Sequence, residues 1–311
     1  MTSEVTVEDP FVHPALFYRG DRQYVAGTVP FILDGLDGGE PVAVAAPPDR
    51  LELIQGELGD RAGEVHFVDM TRAGRNPGRI IPGVLRAFAD SRGPGRIRII
   101  GEPIWPGRTE AEYPACVQHE ALINAAFTGR DVTILCPYDA DGLDGQVLAD
   151  ALETHPVVLD DSGEAVSAAY DPEQVIARYN TALSAPPGAA SYAFGSGGLP
   201  AVRHFAVEQG RRLGLTDMRS QDLALAVAEL TTNSVVHGAG EGVLRIWAEG
   251  GQVVCEVHDG GRLTDPLAGR RPPPPHQPGG RGLLLVHHLS DLVRFHTGDN
   301  GTTIRFYLSS V

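Results

Sequence analysis

The chain has 311 residues, with 40 acidic side chains against 25 basic ones and a formal net charge of −15. Every basic residue is arginine, and the lack of lysine excludes a Walker A phosphate loop, Schiff-base or PLP chemistry, and a Gly-rich-loop protein kinase. The acidic balance also argues against nucleic acid as a direct partner, since that binding is driven by neutralising phosphates, but a local Arg cluster can still meet a nucleotide.

Short apolar runs alternate with amphipathic stretches in the first half. Val42 to Ala46, Val65 to Val68, Ile97 to Ile100 and Val132 to Cys136 read as buried strands. Asp49 to Leu58, Ile80 to Asp90 and Tyr113 to Phe127 read as the helices between them. This alternation predicts βαβ units around a mostly parallel sheet. A last helix is expected over Asp171 to Leu183, with an early Pro and Val175, Ile176 and Tyr179 on one face. Ser184 to Gly198, rich in Pro, Gly, Ser and Ala, reads as a flexible linker. The expected division is a first domain over 1–183, a linker over 184–198 and a second domain over 199–311. In the second, helices over Pro200 to Leu213 and Arg219 to His237 come before strands over Gly242 to Ala248, Gln252 to His258, Leu292 to His296 and Thr302 to Leu308. That order suggests an α+β sandwich with helices on one face of a mixed sheet.

The second domain carries the motifs. Glu229-Leu230-Thr231-Thr232-Asn233 places Glu229 and Asn233 on one helix face by their i,i+4 spacing. Asp259-Gly260-Gly261 closes a strand, where a carboxylate beside glycines can meet a ligand edge. Gly279-Gly280-Arg281-Gly282-Leu283 opens an apolar helix whose free N–H groups suit an anion. Gly301-Thr302-Thr303 begins the last strand. Taken together and in this order, from Leu199 to Val311, these segments resemble the GHKL ATP-binding family, which includes Hsp90, gyrase B, MutL, histidine kinases and anti-sigma-factor serine kinases. The resemblance implies a GHKL (Bergerat) α/β sandwich that binds ATP with Mg²⁺. It implies Asn233 as the Mg²⁺ ligand and Glu229 as the catalytic general base. Asp259 would accept the adenine amino group, with Gly261 letting the base lie against the backbone. Gly280 and Gly282 would offer N–H groups to the phosphates, Arg281 would add charge, and Thr302 or Thr303 would reach the adenine through water. The phrase ELTTNSVVHG looks most like the anti-sigma-factor kinases. His204 is the one candidate for a histidine-kinase phosphoacceptor, yet it falls inside the domain's own first helix. His237-Gly238 reads as a helix C-cap, and Arg262 to Gly279, with Pro272 to Pro275, as a hinged lid in which Arg270 and Arg271 read as a solvated pair, with contact to the phosphates as the alternative.

In the first domain, His13-Pro14-Ala15-Leu16-Phe17-Tyr18, Phe67-Val68-Asp69-Met70, Gly101-Glu102-Pro103-Ile104-Trp105, His119-Glu120-Ala121-Leu122-Ile123-Asn124 and Cys136-Pro137-Tyr138-Asp139 resemble the MEDS family. This is a sensory module of methanogens and methylotrophs. The resemblance implies a RecA/KaiC-like core, here without a Walker A loop, since Arg19-Gly20-Asp21-Arg22 has neither its glycines nor its Lys. Polar residues at strand ends mark the ligand crevice of such sheets, which makes Asp69, Glu102, Cys136, Tyr138 and Asp139 the candidate sensory site. His13, His119 and Cys116 have metal-ligand atoms, but His13 reads as a surface-turn residue and His119 as lining a helix, so no metal is expected there.

The expected whole is an α/β domain followed by an α+β domain. Its function is that of a sensor-coupled regulator of transcription. The second domain binds Mg·ATP and acts as an anti-sigma factor and serine/threonine kinase on a STAS-domain antagonist. The alternatives are a non-catalytic ATP-dependent binder of a sigma factor or antagonist and, third, a histidine-kinase-like sensor. The expected partners are a sigma factor or a STAS-domain protein, and a small-molecule or protein signal at the first domain; a homodimer stays open. Cys116, Cys136 and Cys255 are widely spaced and form neither a disulfide framework nor a zinc ribbon, so a cytoplasmic setting is expected. The polar start of the sequence lacks a signal-peptide pattern, and no apolar run approaches the about 18 residues of a spanning helix, so no membrane partner is expected.

Overall fold

Short runs rich in branched and aromatic residues make the strands of the first unit: Pro14–Tyr18 (β1), Val42–Ala46 (β2), His66–Asp69 (β3), Ile97–Gly101 (β4), Val132–Asp139 (β5) and Val157–Asp160 (β6). These pair in parallel, and Gly163–Val166 (β7) turns back antiparallel on β6, giving the order β3-β2-β4-β5-β1-β6-β7. All of β2 is buried, which requires cover on both faces and explains its unbroken apolar run. The helices are Gly20–Asp37 (α1), Pro48–Leu58 (α2), Met70–Ala73 (α3), Arg86–Asp90 (α4), Tyr113–Phe127 (α5), Gly145–Thr154 (α6) and Pro172–Tyr179 (α7). One core forms where Ile32 of α1 and Ile54 and Leu58 of α2 meet Val42, Val44 and Ala46. The structure is a computed structural model that describes residues 9–271 and 280–310. By contact it divides into Met1–Gly74 with Gly83–Ala177, and Arg75–Pro82 with Arg178–Val311.

Several elements differ from the sequence reading. The pattern of α1 is hidden by Gly27, Pro30 and Gly35. Added Cβ atoms at Gly27 and Gly35 would lie 2.5 Å from Leu16 and 2.8 Å from Arg98, so small residues let the helix lie close on the sheet. The expected helix from Ile80 to Asp90 begins instead as a π-turn over Ile81–Leu85, where Pro82 cannot donate an N–H, and becomes α-helical only in α4.

The second unit contains Ala190–Gly195 (β8), Leu199–Arg212 (α8), Asp217–Val236 (α9), Glu241–Glu249 (β9), Gln252–Asp259 (β10), Gly282–Leu289 (α10), Leu292–Gly298 (β11) and Gly301–Ser309 (β12). Its sheet runs β11-β12-β10-β9-β8 with every pairing antiparallel, not mixed. The second half of the expected linker is the edge strand β8, whose Phe194 is buried in the core. Thr216 caps α9 by accepting the Arg219 N–H at 3.2 Å. At the other end the His237 and Gly238 N–H groups close on the Asn233 carbonyl. Leu223, Val227 and Leu230 of α9 pack with Val253, Cys255, Val257, Phe306 and Leu308 of the sheet. Each such fully buried aliphatic side chain contributes roughly 1.5–3 kcal/mol.

Residues 75–82, distant in sequence, belong to this second unit. Asn76 Nδ2 donates to the carbonyls of His287 at 2.9 Å and Ser290 at 3.2 Å, and Arg79 donates to the same two at 2.8 and 2.7 Å. They satisfy acceptors that the end of α10 leaves without intrahelical partners.

Candidate functional site

Alternation along β10 and β12 decides which residues of the second unit meet. Val253, Cys255 and Val257 face the helices with Phe306 and Leu308, so Asp259 and Thr302, paired in register, share that face. Both Asp259 carboxylate oxygens are engaged: Oδ2 accepts the Ser234 hydroxyl at 2.6 Å and Oδ1 the Gly261 N–H at 2.7 Å. Thr302 Oγ1 donates to the Gly261 carbonyl at 2.9 Å and accepts the Leu263 N–H at 3.1 Å. A Cβ on Gly261 would lie 2.6 Å from Gly238 Cα, so two backbones meet here without side chains between them. Thr303 points to the opposite face and bonds His258 Nδ1 at 3.0 Å.

The other half of the constellation lies where α9 meets the start of α10. A Cβ on Gly282 would lie 2.5 Å from Glu229 Oε2 and 3.6 Å from Asn233 Nδ2. Glu229 and Asn233 therefore flank the first turn of α10, behind exposed Gly280 and Arg281. Both are half-buried, and among the described residues neither side chain has a hydrogen-bond or ion-pair partner. Ser234, next to Asn233 in sequence, ties this helix to Asp259 at the strand end. Sequence reasoning overlooked it; its adjacency to Asn233 on a helix facing the sheet is the signal that was there. Arg270 is not part of a solvated pair: it is buried at 3% exposure, with its guanidinium 6.0 Å from the Phe295 ring centroid. Arg271 is exposed beside Asp265. Pro272 to Pro275 and Gly279 lie outside the described residues. His204 is exposed on α8.

In the first unit the structure separates the candidate sensory residues. Asp69 caps α3, accepting from Thr71 N and Oγ1 at 2.9 and 2.6 Å. Glu102 is buried and accepts the Tyr18 hydroxyl at 3.3 Å and that of Tyr24 at 3.1 Å. The Arg50 guanidinium lies over both rings, 5.3 and 5.0 Å from their centroids, and 3.9 Å from Asp139. Cys136 and Tyr138 belong to another buried group, with His13 and His155. His13 is not a surface-turn residue: it has 0% exposure. His119 is buried within α5, as is Cys116. Tyr24 and Arg50, near the starts of α1 and α2, were not legible as site residues, because an aromatic and a cation in a helix carry no motif of their own, and Tyr18 was legible only as part of the His13 to Tyr18 segment.

Burial pushes the Glu102 carboxyl up to about 8, only partly opposed by Arg50 and the tyrosine hydroxyls. The fold thus keeps Glu102 protonated where the unfolded chain would ionise it. The resulting stability is complete below the unfolded value and is lost as pH rises through about 8. Glu102→Gln keeps the shape and the neutral form. Its melting temperature is expected to fall less than that of wild type between about pH 5 and about pH 9, and parallel profiles would remove Glu102 from this titration.

The family model described as the MEthanogen/methylotroph, DcmR Sensory domain (MEDS) matches residues 12–156, and that of the histidine kinase-like ATPase domain matches residues 197–308. No curated protein matches the chain. A crystal structure of the RsbU and RsbW domains of a Mycobacterium tuberculosis protein aligns at 21% identity and a TM-score of 0.30. The alignment covers 40% of this chain, which spans 33% of that one. Among the described residues no helix is long and apolar enough to cross a membrane. The chain is a fusion of a MEDS sensory domain, matched over residues 12–156, with a histidine kinase-like ATPase domain, matched over residues 197–308.

Proposed function

We propose that the ATPase-like domain binds Mg·ATP and acts as an anti-sigma factor with serine/threonine kinase activity on a STAS-domain antagonist, under control of a signal at the MEDS domain. The observation that carries this reading is the convergence of Glu229 and Asn233 on Gly282, with Ser234 fixing Asp259 beside Gly261 and Thr302. Two half-buried polar side chains without partners among the described residues, at a helix start, suit an anion with its cation.

In this reading the fixed Asp259 carboxylate accepts the adenine amino hydrogen, and the close Gly238–Gly261 contact holds the end of α9 against the end of β10 where that carboxylate sits. Thr302 is placed to reach the base through water, whereas Thr303 is turned away. The N–H groups of Gly280 and Gly282, with the Arg281 guanidinium, bind phosphate oxygens, a set that needs no lysine. Asn233 offers its amide oxygen to Mg²⁺. Bound ATP supplies the phosphoryl group. Glu229 takes the proton from the acceptor hydroxyl, the task of a general base at hydrogen-bond reach.

Incubation of the full chain with labelled ATP, Mg²⁺ and candidate STAS-domain proteins tests the proposal. Acid-stable phosphate on a Ser or Thr of one partner is expected, and absence of ATP binding by the wild-type chain would sink the reading at its root.

A further inference from the structure

A second constellation in the MEDS domain is left unexplained by this function. His13 before β1, Glu120 on α5, Cys136 on β5 and His155 after α6 are all at 0–1% exposure. One ligand-type atom from each lies within 4.8 Å of all the others. His13 Nε2 is 3.4 Å from Cys136 Sγ and 3.4 Å from Glu120 Oε2, and His155 Nε2 is 3.3 Å from the same carboxylate oxygen. The edges of a tetrahedral site with metal–ligand bonds near 2.0–2.3 Å are about 3.3–3.7 Å.

Hydrogen bonding fixes which nitrogen faces the cluster. The Asn124 amide N–H₂ donates to the carbonyls of Ala121 at 3.2 Å and Thr154 at 2.9 Å, so its Oδ1 must accept from His13 Nδ1 at 3.1 Å. His155 Nδ1 likewise donates to the Ala151 carbonyl at 2.9 Å. With both protons on Nδ1, both Nε2 lone pairs point at the carboxylate and the sulfur. Neither Glu120 oxygen nor His155 Nε2 has a hydrogen-bond partner among the described residues. Lone pairs converging in a dry interior are costly unless a cation joins them.

We propose that His13, Glu120, Cys136 and His155 hold one zinc-class divalent cation in a closed tetrahedral site. Thiolate, imidazole and carboxylate together select a borderline-soft ion. Coordination replaces the Cys136 S–H proton, which leaves to solvent. The dication, one thiolate, one carboxylate and two neutral imidazoles then sum to no net charge. Asn124 and the Ala151 carbonyl are the outer partners that hold the two rings. His13 and Asn124 also line a cavity of about 350 Å³ with Phe11, Tyr170 and Ile176, so the ion would fix one wall of a pocket sized for a small molecule.

The full chain, purified without a polyhistidine tag and dialysed against metal-free buffer, is expected to retain about one zinc per chain by elemental analysis. Exchange into Co²⁺ should give intense tetrahedral d–d bands and a near-ultraviolet thiolate band. Cys136→Ser should lose the thiolate band, and Glu120→Gln should lose the ion, while Cys116→Ser and Cys255→Ser keep both. Asn124→Leu should weaken competition with a chromogenic chelator by roughly 10–100-fold. If wild type takes up no more zinc or cobalt than the His155→Ala variant, or if its Co²⁺ spectrum lacks the thiolate band, the proposal is overturned. Circular dichroism separates misfolded variants, and the wild-type spectrum decides the matter without them.

Discussion

Replacing Asn233 by alanine is expected to leave a folded protein whose nucleotide affinity no longer rises with Mg²⁺. The side chain is half-buried on α9, 3.6 Å from where a Cβ of Gly282 would stand, and has no hydrogen-bond partner among the described residues. Removing it therefore takes little from the fold, unlike Ser234, which holds Asp259. If Asn233 supplies the metal ligand, the loss in Mg-dependent affinity should be on the order of 100-fold, about 2.7 kcal/mol. Titration of a fluorescent ATP analogue with and without Mg²⁺, beside a thermal melt, measures both quantities. Unchanged affinity with an unchanged melt would remove Asn233 from the site.

Glu229→Gln separates catalysis from binding. The amide keeps the volume of the carboxylate against Gly282 but has no basicity to offer an acceptor hydroxyl. A positioned general base is worth about 10²–10⁴-fold, so transfer to a STAS-domain partner should fall by that factor while ATP affinity changes only a few-fold. Transfer that persists at the wild-type rate would place the base elsewhere. A wild-type chain that binds ATP and a partner without any transfer would favour the non-catalytic reading. Acid-labile label lost in His204→Ala would favour the histidine-kinase alternative.

How much was legible in the sequence depended on whether a feature was local. The Glu229–Asn233 spacing, the Asp259 strand end and the Gly282 helix start are each written in nearly consecutive residues, and the fold sets Glu229 and Asn233 beside Gly282 and ties Asp259 to the same helix through Ser234. Ser234 could be found only by knowing that the helix face beside Asn233 meets the end of β10. Thr302 and Thr303 were indistinguishable until the register with β10 set their faces. The parallel strands β2, β4 and β5 were plain because burial on both sides leaves continuous apolar runs. Helix α1 was not, since close packing on the sheet demands glycines that erase its pattern. The His13, Glu120, Cys136 and His155 group was least legible, because its members are far apart in sequence and meet only through parallel β1, β5 and β6. His13, taken alone before Pro14, has every local mark of a turn.

Residues 75–82 bear on how this protein can be cut. A fragment beginning at the Pro/Gly-rich stretch after α7 would contain all of the residues proposed for the nucleotide site and look like a complete domain. It would nevertheless lack Asn76 and Arg79, whose side chains bind the His287 and Ser290 carbonyls at the far end of α10. Water would replace the missing donors, so each lost hydrogen bond takes away only its net contribution of about 0.5–1.5 kcal/mol, and α10 is the helix whose first turn faces Glu229 and Asn233. An ATPase fragment excised by sequence boundaries would thus have a loosened α10, and its weakness for nucleotide would be an artefact of surgery. The compact unit is discontinuous along the chain, and ribosomal synthesis delivers its first piece roughly a hundred residues before the rest.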